Sequence, residues 1–181
     1  MSEATIPTQG ASLVHSQTPE TIKKWLKENE HTLDYPQAYV GDELGLIKKD
    51  WDTTSTKVAL CGGVGYRFLV GNLAIPILVQ CINETVDDAL CHRSFFQSSR
   101  WDYDKMLAAH LPYFSIEEKR PLRDYDIVAF SHSFIWTDLN ALFMFKHSGF
   151  PLYAKDRLDR PDIPILLRGG QSITPLAHIG S

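Results

Sequence analysis

An α/β fold with a doubly wound, mostly parallel sheet is predicted from three observations. Val58-Ala59-Leu60-Cys61, Asp126-Ile127-Val128-Ala129-Phe130-Ser131 and residues 163–167 are short apolar runs closed by glycine or serine, as expected of central parallel strands. Segments with helical apolar spacing alternate with them, and the right-handed crossover rule then restricts their connections. Finally, 181 residues with 44% hydrophobic and 22% charged side chains can bury one sizeable core.

Residues 1–17 are rich in Thr, Ser and Gln and lack an apolar period, which predicts a flexible lead. Residues 18–56 are expected to form a helix and an extended arm. Thr18 stands as N-cap with Pro19 at the first helical position, and Ile22, Trp25 and Leu26 make the apolar stripe. Asn29 or His31 ends it. Residues 35–56 are polar, with Gly41, Gly45 and the run Lys48-Lys49-Asp50, and are expected to stay outside the core.

Residues 57–181 carry the α/β domain itself. After the first strand, residues 62–71 read as a loop, and Asn72 caps a helix running to Asn83 with Pro76 near its first turn. Apolar residues surround that helix on nearly all sides, so it should be mostly buried. A second strand is expected at 89–95, followed by a helix at 102–111 with Met106, Leu107 and His110 on one side. Residues 113–116 suggest a minor strand, and 126–131 the third main one. A helix at 137–147 is terminated by Gly149. Residues 163–167 give a last strand leading into Gly169-Gly170. A flavodoxin-like order 2-1-3-4-5 wants one more strand and helix, so the domain is expected to be incomplete at its C-terminus.

Several function classes are disfavoured. A net charge of -4 gives no basic face for phosphate contacts, so nucleic acid is not an indicated partner. No apolar run is long enough for a membrane span and no leader pattern opens the chain, so a cytoplasmic location is expected. Cys61, Cys81 and Cys91 are expected to be reduced, buried thiols. The histidines, among them His92, His110, His132, His147 and His178, show no ligand spacing and are expected at the surface or at caps. Ser131-His132-Ser133 lacks the glycines of a nucleophile elbow, and the loop after the first strand lacks both the third fingerprint glycine and a Gly-Lys-Ser/Thr end.

In open parallel sheets, ligands bind beyond the carboxyl ends of the strands at the switch point. Three stretches fall there, and they supply the candidate binding residues. They are Gly63, Gly65, Tyr66, Gly71 and Asn72 after the first strand; Ser131, His132 and Ser133 after the third; and Gly169 and Gly170 after the last. Trp136 stands beside the second stretch, whereas the other tryptophans are expected to serve packing.

An ordered set of segments resembles the N-terminal, cobalamin-binding-like region of a family of large radical S-adenosylmethionine (SAM) proteins. Tyr39-Val40-Gly41-Asp42-Glu43-Leu44-Gly45 and Lys49-Asp50-Trp51 are similar to the family's Y-x-G-G-E-Y-N and K-D-W. Gly65-Tyr66 and Val70-Gly71-Asn72-Leu73 resemble its Y-E-V-G-M-S-N-L-G loop. Pro112-Tyr113-Phe114-Ser115-Ile116-Glu117, Arg120-Pro121-Leu122 and Asp124 to Ser131 follow P-L-F-S-L-E, R-P-L and D-F-D-I-V-G-F-S. Gly149-Phe150-Pro151-Leu152, Ala154 with Arg157, and Pro164 to Gly170 match the later steps.

The resemblance implies a Rossmann-like accessory domain that positions a substrate or corrinoid for a catalytic barrel, supplied in cis downstream or in trans. It implies a 4Fe-4S cluster and SAM for that barrel only, because Cys61, Cys81 and Cys91 are 20 and 10 residues apart and cannot form C-x-x-x-C-x-x-C. Cobalamin would bind without a protein histidine on cobalt, since D-x-H-x-x-G is absent. This chain alone is therefore not expected to cleave SAM; the alternative is a stand-alone binding module or a remnant without catalysis.

Overall fold

The computed structural model describes residues 17–71, 73–132 and 134–170. Four strands form one parallel sheet of order β2-β1-β3-β4: β1 (Thr56–Gly62), β2 (Ala89–Phe95), β3 (Ile127–Ser131) and β4 (Ile165–Gly169). Because side chains alternate along each strand, the sheet feeds two cores. Val58 and Leu60 pack on one face with Ile75, Val79, Ile22 and Leu26. Ala59 and Cys61 point the other way, toward Val128, Phe130, Ala141, Met144 and Phe145. The first crossover helix, α3 (Ala74–Thr85), covers the former face, and α5 (Trp136–His147) covers the latter. This is the expected doubly wound arrangement, with the winding direction reversing between β1 and β3.

The helix ahead of the sheet, α1 (Pro19–Asn29), begins as its sequence dictates. Thr18 and Thr21 cap each other: the Thr21 hydroxyl accepts from the Thr18 N–H at 2.8 Å, and Thr18 accepts from Thr21 N–H at 3.3 Å. At the far end of α5, Gly149 takes a φ of +76° and closes the helix. Phe150 N–H then donates to Phe145 C=O at 2.9 Å and Gly149 N–H to Lys146 C=O at 3.2 Å, satisfying the last carbonyls.

Elsewhere the structure departs from expectation for identifiable reasons. The stretch 62–71 is not all loop, because Tyr66–Gly71 forms a short helix, α2, held down by the fully buried Leu69. Helix α3 starts at Ala74 and runs to Thr85, with Leu73 in the cap position and Pro76 in the first turn. It is not mostly buried. Ile75, Val79 and Asn83 are its buried residues and Ile82 packs beside them, while Ile77 and Leu78 face outward, since a helix with a sheet on one side can bury only one stripe. Helix α4 (Arg100–Ala108) starts earlier than expected behind an N-cap at Ser99 and ends where His110 adopts a φ of +53°, leaving Leu107 exposed. Residues 113–116 contribute a single antiparallel bridge, Phe114 to Pro121, in place of a strand. The last strand begins at Ile165, after Pro164, which has no N–H to give the ladder.

The arm does enter the core. Ala38 and Tyr39 are buried, and the Tyr39 ring lies 5.6 Å from that of Phe95. Farther along it, Glu43 pairs with Arg93, a β2 residue whose side chain also holds Glu117 at 2.7 Å. Cys61 and Cys91 are buried thiols as expected, but Cys81 is exposed on α3. Among the described residues no helix is long and apolar enough to cross a membrane.

Candidate functional site

In a parallel sheet in register, all strand ends fall on one edge. Gly62 lies opposite both Phe95 and Ser131, and Ser131 lies opposite Gly169. Beyond the β1 and β3 ends, where the winding reverses, opens a cleft of about 750 Å³. Gly62, Gly63 and Ser131 form its floor. Phe68 of α2 and Leu73 make one wall, while Phe134, Trp136 and Thr137 make the other. The two walls meet tightly at the base. A Cβ on Gly63 would lie 2.7 Å from the Thr137 Cβ, so only glycine allows the β1 turn to approach α5 this closely. Asn140 secures the contact by donating to Gly63 C=O at 2.7 Å.

The cleft is apolar and uncharged. Phe68 is 73% exposed and Trp136 62%, and the Phe134 and Trp136 rings stack at 5.5 Å, 15° from parallel. Among the described residues no Asp, Glu, Lys, Arg or His lines it. Thr137 is turned inward, donating its hydroxyl to Phe134 C=O at 2.5 Å.

Of the candidate binding residues, Gly63, Gly71 and Ser131 line this cleft. Asn72 and Ser133 lie outside the described residues. Gly65 and Tyr66 belong to the neighbouring side: the Tyr66 hydroxyl donates to Glu43, and its ring packs 5.5 Å from Phe95. His132 is not a surface or capping histidine; it is buried beneath the cleft, with Nδ1 2.6 Å from Asp138 Oδ1. Arg168 Nη2 donates to the same oxygen at 2.8 Å. Burial pushes the His132 pKa down, helped by Arg168 and opposed by Asp138. A neutral ring this close to a carboxylate carries its proton on Nδ1, which leaves the buried Nε2 without a partner.

Gly169 and Gly170 close over this group. Gly169 C=O accepts from His132 N–H at 2.8 Å, and Gly170, at a φ of +126°, sits against the His132 backbone. A side chain at Gly170 would run into the His132 carbonyl oxygen. Gly170→Ala is therefore expected to destabilise the fold by about 2 kcal/mol, read as a lower urea midpoint with unchanged slope. An unchanged midpoint would contradict the geometry.

His92 is also buried rather than superficial, with Nδ1 2.8 Å from the Tyr125 hydroxyl. Asp138 and Arg168 were not among the expected site residues. The one acid in Trp136–His147 and the one charge in Ile165–Gly169 are the signal that could have found them.

A larger cleft, about 900 Å³, opens at the opposite edge among Arg123, Arg157, Arg160, Asp126, Asp159 and Asp162. Part of its charge is internally engaged: Arg160 pairs with Asp162 at 2.6 Å, and Arg157 donates to Pro151 C=O at 2.8 Å. It also lies at the amino ends of the strands, the wrong edge for a parallel-sheet ligand. The smaller cleft is the better site.

A family model described as "Radical SAM proteins, N-terminal" matches residues 74–179. The chain belongs to this family. Searches of curated proteins and of solved structures returned no match. The range matched by the radical SAM N-terminal model runs from α3 past β4, so it includes Ser131, Phe134 and Trp136. It omits β1, Gly63 and Phe68, which form the other half of the cleft.

Proposed function

We propose that this chain is an accessory domain that holds a substrate at its carboxyl-edge cleft for a radical SAM catalytic barrel, supplied downstream in cis or by a partner chain. Family membership over residues 74–179 carries this reading, and the cleft at the winding reversal gives it a place to act.

The chain's own residues do not fit an iron–sulfur cluster. Cys61 and Cys91 face opposite cores and Cys81 lies on α3. Burial pushes the Cys91 thiol up to about 12 and Cys61 well above its usual value, the reverse of a thiolate ligand. No group of three or more His, Cys, Asp or Glu among the described residues could hold a metal. On this reading a cluster and SAM would be held by the barrel. A histidine-ligated corrinoid does not fit either, since among the described residues no histidine lines the cleft and His132 is buried against Asp138. A corrinoid would have to be held by the strand-end backbone alone.

The test is co-expression with the radical SAM barrel encoded next to or in frame with this chain, recognised by its C-x-x-x-C-x-x-C. Substrate-dependent formation of 5′-deoxyadenosine is expected to rise at least about tenfold when the domain is present, as positioning effects allow. Turnover indifferent to the domain would overturn the reading. Absorbance after incubation with hydroxocobalamin and desalting decides the corrinoid arm, which falls if no corrin bands are retained.

A further inference from the structure

We infer that the carboxyl-edge cleft takes a flat, uncharged, fused-ring ligand, seated against the Phe134–Trp136 stack with its polar edge on the Ser131 hydroxyl. This rests on the reading of that cleft as the ligand site and names the class of molecule it accepts.

Charge makes the first selection. With no ionisable side chain among the described residues lining the cleft, a phosphate or carboxylate entering it would lose water and meet no cationic side chain. Shape makes the second. The Phe134 and Trp136 rings are stacked on each other, 15° from parallel, and the stack stands as one wall. Phe68 and Leu73 face them from a separate element, and nothing among the described residues covers any of the four. Aromatic rings favour offset stacking over such a surface. A volume near 750 Å³ suits a small molecule, and the recessed floor of Gly62, Gly63 and Ser131 suits a ring edge better than a protein surface.

Polar contact makes the third selection. The Thr137 hydroxyl is engaged with Phe134 C=O, and Gly63 C=O with Asn140. Among the described residues the Ser131 hydroxyl has no partner. It is placed on the floor to donate to, or accept from, one heteroatom of the ring.

The probe is lumiflavin, an uncharged tricycle, with flavin mononucleotide as its phosphate-bearing counterpart. Each is titrated into the full chain and followed by fluorescence polarisation. Lumiflavin is expected to bind, with Trp136→Ala weakening it about fivefold and Ser131→Ala about threefold. Trp101→Ala, exposed and outside the cleft, should leave binding unchanged, and thermal melts confirm that the variants fold. Flavin mononucleotide should bind no more tightly than lumiflavin.

The inference is overturned if lumiflavin fails to bind at about 1 mM, if Trp101→Ala weakens it equally, or if the phosphate improves affinity tenfold. Self-association of the chain that Trp136→Ala abolishes, with no lumiflavin binding, would assign the surface to a second copy instead. Lumiflavin binding without stimulation of the barrel would sink the accessory reading alone; stimulation without lumiflavin binding would sink only the ligand class.

Discussion

Replacing Arg93 with Met is expected to lower the free energy of unfolding by about 3–5 kcal/mol, the loss typical when one partner of a buried ion pair is removed. The Arg93 side chain is 4% exposed and that of Glu117 8%, so neither charge has water to fall back on. Arg93 Nε donates to Glu117 Oε1 at 2.7 Å, its backbone N–H to Oε2 at 2.8 Å, and Nη2 to Glu43. Even with Arg93 present, burial holds the Glu117 pKa above the ordinary carboxylate value. Without it, the charge that opposes burial is gone and the Glu117 pKa rises further, so folding favours the protonated acid more strongly. A carboxyl raised in the folded state stabilises at low pH and loses that contribution as pH rises through the folded value. The deficit of Arg93→Met should therefore be larger at pH 8 than at pH 5.

Urea titrations at the two pH values check this, and Arg93→Met with Glu117→Gln should recover part of the loss. Equal stability of the variant and the parent chain would refute the account. The consequence reaches the cleft, because Glu43 also accepts from Tyr66, the first residue of α2, and α2 carries the Phe68 wall.

How much of this was legible beforehand depends on which forces leave a local trace. β1 and β3 announce themselves because central strands covered by helices are apolar along their length, and the Thr18-Pro19 start because capping is a local event. Helix α2 left no trace: six residues with one buried side chain, Leu69, carry no measurable period. The strand-end glycines were legible, since a tight turn needs them. Of the aromatic walls only Trp136 was marked, by its place beside the third-strand loop; Phe68 and Phe134 look in sequence like core residues and differ only in being left uncovered. The His132–Asp138–Arg168 group is assembled by β3, α5 and β4 coming together, a juxtaposition no spacing rule encodes. The arm misled for a similar reason: its polarity is real, but Glu43 is spent on Arg93 and not on water.

Acidification from pH 7 to about pH 4 is expected to remove about 3 kcal/mol of stability through His92 alone. Burial pushes this histidine from its ordinary 6.5 down to about 4, with further help from Arg120 and Arg93. The imidazole is enclosed by Trp51, stacked at 6.1 Å, and by Tyr125, whose hydroxyl is 2.8 Å from Nδ1. The Arg120 guanidinium lies 4.0 Å from the Trp51 ring centre, so a cation already stands nearby. For a histidine depressed in the folded state, the unfolded chain binds the proton first. Stability is then complete above pH 6.5 and drains away as pH falls toward 4. His132 and His147 are lowered by burial as well and add loss of the same sign, whereas Asp162, held near 2 by Arg160, titrates below this window.

The separation is made by His92→Gln, which removes one titrating group and keeps a polar side chain beside Tyr125. Urea unfolding of both chains at pH 7 and pH 4.5 should show a clearly smaller acid loss in the variant, even if it starts less stable. An undiminished loss would place the acid sensitivity elsewhere. Because Trp51 belongs to the arm and His92 to β2, the contact that this proton would disturb is one between the arm and the sheet.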